Sequence, residues 1–157
     1  MKKFLMIISL INVSCEKVEL LPSTSSDINY KVESLRGEKV VMLNVWALWC
    51  VPCVEEFPMI VDLDEEIKEL EVVFVSADFD DQFNEVESFL NRQGVKNVSY
   101  IKQEKDEPFI LGIHPKWTGS LPFTIIYAKE SGKIVDLWEG KESELRFRTA
   151  INIALRS

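Results

Sequence analysis

Two cysteines stand three residues apart in the segment Trp49-Cys50-Val51-Pro52-Cys53. Such a pair can close a disulfide on itself, exchange that bond with another disulfide, or supply half of a four-ligand zinc site. Its surroundings narrow the choice. The apolar run Lys39 to Ala47 (KVVMLNVWA) ends just before it, and Cys53, Phe57, Ile60, Leu63, Ile67 and Leu70 recur at spacings of three and four after it. The pair therefore sits where a buried strand gives way to a long helix. At a helix start the first backbone N–H groups lack partners, and the aligned peptide dipoles place partial positive charge there, which favours thiolate. Cys50, in the first turn, is expected to have a lowered pKa and to be the attacking sulfur. Cys53, one turn in, is expected to be shielded and to resolve the mixed disulfide. Pro52 suits that turn, because its missing N–H would have been unpaired anyway.

The elements that position this pair alternate between strand and helix patterns. Pro58 interrupts the long helix and predicts a kink without a chain break. Glu71 to Ser76 (EVVFVS) is a second buried strand. Asn84 to Gln93 carries Val86, Phe89 and Leu90 at helical spacing before Gly94 as a stop. Val98 to Lys102 is a short strand. Phe123 to Ala128 and Lys133 to Glu139 flank Lys129-Glu130-Ser131-Gly132, a hairpin signal, and Glu142 to Arg156 closes as an amphipathic helix. A small strand around Asn29 to Ser34 could precede the set. The order predicts an α/β fold with a central sheet flanked by helices.

The chain of 157 residues is 46% apolar and 28% charged, a balance suited to one compact domain with its own core. Its formal charge of −8 excludes a basic nucleic-acid footprint. Lys2 and Lys3, the apolar run Phe4 to Ile11 and the small Ser14 lay out a signal peptide over 1–14. That run is far short of the roughly 20 apolar residues of a spanning helix. A leader ending before Cys15 resembles a bacterial lipoprotein signal, with Val13 and Ser14 matching its pattern and Asn12 departing from it. This implies lipid on Cys15, a flexible tether over 15–28 built on Pro22 and Ser23-Thr24-Ser25-Ser26, and a folded domain over 29–157. With three cysteines in all, lipid on Cys15 leaves the other two as an isolated CxxC.

The segment Asn44-Val45-Trp46-Ala47-Leu48-Trp49-Cys50-Val51-Pro52-Cys53, followed by Glu56-Phe57-Pro58 and later by Gly119-Ser120-Leu121-Pro122-Phe123-Thr124, resembles the thioredoxin superfamily. Within it the likeness is to the extracytoplasmic TlpA/ResA-type reductases, over roughly Val32 to Leu155. The resemblance implies a thioredoxin fold with a central mixed sheet. It also implies a thiol-disulfide oxidoreductase, expected to be a monomer, with no organic cofactor and no metal. Protein disulfides would be its substrates, outside the cytoplasm, with a membrane thiol transporter as electron donor. Asn44 stands where thioredoxin itself has a buried aspartate. The TlpA/ResA-type proteins instead place a glutamate three residues after the second cysteine, here Glu56, and helical side chains lean toward the N-terminus, so Glu56 can face Cys53 as its proton acceptor. Pro122 resembles the family's cis-proline, leaving the backbone of Leu121 to pair with an extended substrate, and Trp49 flanks the reactive sulfur as a docking surface. Val51-Pro52 lacks the histidine of strongly oxidising relatives, which favours the reducing direction.

Two other readings stay open. Cys50, Cys53 and the only histidine, His114, could form a copper-binding or metallochaperone module, since thiolates suit Cu(I). Alternatively, the CxxC is a structural clip in a non-catalytic binding protein. Trp46, Trp117 and Trp138 are expected in packing roles and His114 in a surface loop. The acidic run Asp78 to Asp81 lacks the glycine and distal glutamate of an EF-hand and is expected to be a solvated turn capping the next helix.

Overall fold

The computed structural model describes residues 17–157. The signal segment over 1–14 and Cys15 lie outside the described residues. The chain opens with strand β1 (Leu20–Ser23) and helix α1 (Ser25–Ser34), then β2 (Val40–Trp46), α2 (Val51–Glu66) and β3 (Leu70–Ser76). After a single turn of 3-10 helix at Asp80–Gln82 come α3 (Phe83–Gln93), β4 (Ser99–Lys102), α4 (Asp106–Ile113), β5 (Phe123–Tyr127), β6 (Ile134–Glu139) and α5 (Glu144–Ala154). The six strands form one sheet in the order β1-β4-β3-β2-β5-β6. The first four are mutually parallel, and β5 runs antiparallel to both of its neighbours, β2 and β6.

Strand β2 occupies an interior position, and all seven of its residues are buried. Alternation along the strand divides them between two cores. Val40, Met42 and Trp46 pack with α2, α3 and α5 on one face, while Val41, Leu43 and Val45 pack with α1 and α4 on the other. The first core is centred on aromatic rings: Phe57 stacks on Phe74 with centroids 4.5 Å apart and meets Trp46 edge-on at 4.8 Å. Helix α2 runs through Pro58 without a break.

The sequence expectations need correction in several places. The segment expected as a flexible tether belongs to the fold from Leu20 onward: β1 pairs in parallel with β4, and Leu20 and Val18 are buried. Its serine-threonine run is a helix cap and not a linker. Thr24 Oγ1 accepts the Asp27 N–H at 3.3 Å, and Asp27 Oδ2 accepts the Thr24 N–H at 2.9 Å, a reciprocal box that starts α1. Asn29 to Ser34, expected as a strand, is therefore the body of that helix, with Ile28 and Val32 facing the core. Pro22 is tolerated in β1 because the strand lies at the edge of the sheet. The apolar stripe after the CxxC stops being helical at Glu66, and Leu70 already belongs to β3. Helix α4 was not expected at all, because Pro108 and Gly112 mask its pattern; Pro108 falls in the first turn, where its missing N–H costs nothing.

Candidate active site

The loop between β2 and α2 delivers Cys50 to the N-cap of α2, and Cys53 follows one turn later. The two sulfurs are joined in a disulfide, with Cα atoms 5.3 Å apart, so this is the oxidised form. Cys50 Sγ also accepts the Cys53 N–H at 3.3 Å, which directs one of the orphan donors of the helix start at the sulfur expected to attack. Cys50 is 5% exposed and Cys53 1%. Any approach to the pair is thus more open on the Cys50 side. Trp49 and Val51 border that approach and are exposed, Trp49 at 62%.

Glu56 lies one turn beyond Cys53 on the buried side of α2 and is only 2% exposed. Its Oε2 accepts the Glu142 N–H at 3.4 Å, and its Oε1 has no partner among the described residues. Burial pushes the carboxyl up to about 7, against the pull of the Glu142 N–H, the Asn44 side chain and the Lys141 ammonium. A carboxyl poised there can take and return a proton at neutral pH. The neighbouring Glu55 is exposed and paired with Lys141 at 2.7 Å. Asn44, on β2, is buried and donates to Thr124 Oγ1 at 3.1 Å.

The Leu121-Pro122 peptide is cis and leads directly into β5. The preceding turn is fixed by Trp117, which stacks flat on Phe123 at 4.9 Å and donates its indole N–H to the Ser120 carbonyl at 2.9 Å. Leu121 makes no backbone hydrogen bond among the described residues. A cleft of about 150 Å3 opens between Trp49 and Leu121, floored by Phe109, Ile110 and Trp117 and bounded by Phe79. Trp46 and Trp138 are buried packing residues, Trp138 lying edge-on to Phe147. His114 ends α4, and its Nδ1 accepts the Lys116 N–H at 3.2 Å. Among the described residues no three His, Cys, Asp or Glu side chains lie close enough to hold a metal ion.

Sequence reasoning missed Asp78. Phe79, Asp80 and Asp81 form the expected exposed turn ahead of α3, but Asp78 is a fully buried carboxylate whose two oxygens accept the Leu48 N–H at 3.1 and 3.0 Å. The period-two alternation from Phe74 through Ser76 to Asp78 was the available signal, since it places Asp78 on a face already committed to the interior.

A mixed sheet carrying a CxxC at the head of a helix beneath an interior strand, with a cis-proline entering the neighbouring strand, defines a thioredoxin-fold thiol-disulfide oxidoreductase. The chain belongs to the Redoxin family, whose model matches residues 13–144. It is similar to the thiol-disulfide oxidoreductase ResA of Bacillus subtilis (strain 168), with 24% identity over 144 residues, covering 86% of this chain and 77% of the relative. Solved structures share the fold. A thioredoxin-family thiol:disulfide interchange protein from Chlorobium tepidum TLS superposes with a TM-score of 0.63 at 23% identity, covering 78% of this chain and 83% of its own. The pneumococcal exposed lipoprotein thioredoxin of Streptococcus pneumoniae strain TIGR4 superposes at 0.59 with 18% identity, over 78% of this chain and 89% of its own.

Proposed function

We propose that the protein reduces disulfides in other proteins outside the cytoplasm, with Cys50 as nucleophile, Cys53 as resolving thiol and Glu56 as the proton acceptor for Cys53. The observation that carries this reading is the buried Glu56 carboxyl, poised at about 7 one helical turn beyond the shielded Cys53. In the reduced protein the Cys50 thiolate attacks one sulfur of the substrate disulfide, and the other substrate sulfur leaves as thiolate. Glu56 takes the Cys53 proton, and the Cys53 thiolate attacks Cys50 Sγ and expels the second substrate sulfur, which receives a proton. Two electrons have then passed to the substrate, and the Cys50–Cys53 disulfide remains. A membrane thiol donor returns the pair to dithiol.

Trp49 and the free backbone of Leu121 offer the substrate an apolar contact and an extended pairing partner beside Cys50, with Pro122 setting the turn. The leader layout before Cys15 supports export and a lipid anchor at that residue, and mass spectrometry of the mature protein from its host tests it: unmodified Cys15 in an aqueous fraction ends the anchor reading. For the reaction itself the decisive experiment is trapping on a Cys53→Ser variant. The mixed disulfide on Cys50 then persists, and reductant releases exported cysteine-containing proteins. A variant that accumulates no adducts in a cell containing oxidised envelope proteins contradicts the reductase reading.

A further inference from the structure

Asp78 is a second buried carboxylate near the redox pair, and the reaction above does not use it. It follows the end of β3 by two residues and is 0% exposed. Besides the two contacts with the Leu48 N–H, its Oδ2 accepts the Ser76 hydroxyl at 2.7 Å, and its own N–H donates to Ser76 Oγ at 3.0 Å. Leu48 stands two residues before Cys50. The same loop is pinned by Ala77 N–H on the Trp46 carbonyl at 2.8 Å and by Cys50 N–H on the Ala47 carbonyl at 3.1 Å. A negative charge is thus fastened beneath the loop that presents the nucleophile.

The charges facing it compensate incompletely. Burial pushes the Asp78 carboxyl above its ordinary value, and the hydrogen bonds from Ser76 and Leu48, with the Lys102 ammonium, pull it back. Among the described residues Lys102 is the cation acting on it, and it is also ion-paired with Asp106 at the start of α4 and lies 5.4 Å from the Phe79 ring centroid. From α2 the buried Glu56 adds a second carboxyl near the CxxC, while Glu55 and Lys141 offset each other. The head of α2 favours thiolate on Cys50. An anion under the same loop opposes it.

We propose that Asp78 is a positioning residue that holds the loop carrying Cys50 and, through its buried charge, disfavours the Cys50 thiolate and so keeps the reduced pair a stronger electron donor. The proposal rests on Cys50 being the nucleophile. It gives the reducing direction a source that is separate from Glu56.

Asp78→Asn tests it, because the amide keeps its shape and an oxygen for the Leu48 N–H and removes the charge, while the Ser76 hydroxyl changes from donor to acceptor toward the amide nitrogen. Two quantities are read on the full chain: the pH profile of Cys50 alkylation by iodoacetamide, and the equilibrium with reduced and oxidised glutathione. The profile is expected to move to lower pH. The equilibrium is expected to shift by about threefold or more toward the reduced protein, the scale of one buried charge acting across the loop and partly offset by Lys102. A merely structural Asp78 changes the unfolding midpoint and leaves both readouts alone, and that result in a folded Asp78→Asn overturns the proposal. Should that variant fail to fold, Lys102→Met removes the offsetting cation, and both readouts must move the opposite way; no movement there overturns the proposal equally. Reduction of insulin by the wild-type chain separates the two levels. Inert wild type removes the reductase reading, whereas active wild type with an unmoved variant removes only the role of Asp78.

Discussion

The backbone N–H of Glu142 points at the buried carboxylate of Glu56 at 3.4 Å, tying the turn between β6 and α5 to the segment of α2 that follows the CxxC. The Glu142 N–H, with the Asn44 side chain and the Lys141 ammonium, does not offset the cost of burying an ionised carboxylate here, and Oε1 has no hydrogen-bond partner among the described residues. The carboxyl accordingly holds its proton to about pH 7.

Glu56→Gln keeps the shape and removes the base. Single-turnover kinetics should show release of the mixed disulfide slowed by about 10²- to 10⁴-fold, with the initial attack by Cys50 changed far less. Resolution at the wild-type rate would remove Glu56 from the mechanism and leave it a buried helix residue.

The same group makes stability depend on pH. Its folded pKa of about 7 lies above the ordinary 4.5, so the folded state binds the extra proton, and stability is full below pH 4.5 and declines as pH rises through 7. Asp64, raised from 3.8 to about 6 chiefly by burial, acts in the same sense. Urea titrations between pH 4 and 8 should therefore show falling stability, and Glu56→Gln should flatten the part of the slope above pH 6. An unchanged slope in that variant contradicts the assignment.

Trp49 is exposed at the rim of the cleft beside Cys50, so Trp49→Ala should raise KM for a protein disulfide several-fold while moving stability by no more than about 0.5 kcal/mol. Equal KM values on a folded substrate would place docking elsewhere.

Phe57 is enclosed by Trp46, Phe74 and Phe89 with centroids 4.5 to 5.0 Å away. Phe57→Ala should cost about 3 to 5 kcal/mol in denaturant unfolding. A cost below 1 kcal/mol would mean that α2 does not depend on this cluster for its seat on the sheet.

The parts of the fold legible in the sequence are those where burial imposes a period. The uninterrupted run of β2, the stripe on α2 and the hairpin around Gly132 each record which face meets the core. The CxxC and the proline at Pro122 were legible as motifs, and the structure places a disulfide at the first and a cis peptide at the second, with Glu56 buried one turn beyond Cys53. What stayed hidden depends on partners distant in sequence. Leu20 to Ser23 becomes a strand only because β4 lies ready beside it, and Asp78 becomes a buried strut only because the Leu48 amide needs an acceptor. Thr24 looked like part of a linker, since a cap and a flexible joint draw on the same small polar residues.

Strand β1 closes one side of the sheet, and its proline has a consequence for how the molecule meets its neighbours. Ser99 and Gln103 donate to the carbonyls of Glu19 and Ser23, so the odd-numbered residues of this stretch turn toward β4 and Pro22 turns outward. The outward side therefore lacks a donor midway along a strand of only four residues. A second chain trying to zip itself onto this edge would meet a gap in the ladder before it had formed two regular bonds, which guards a crowded population of these molecules against aggregating strand to strand.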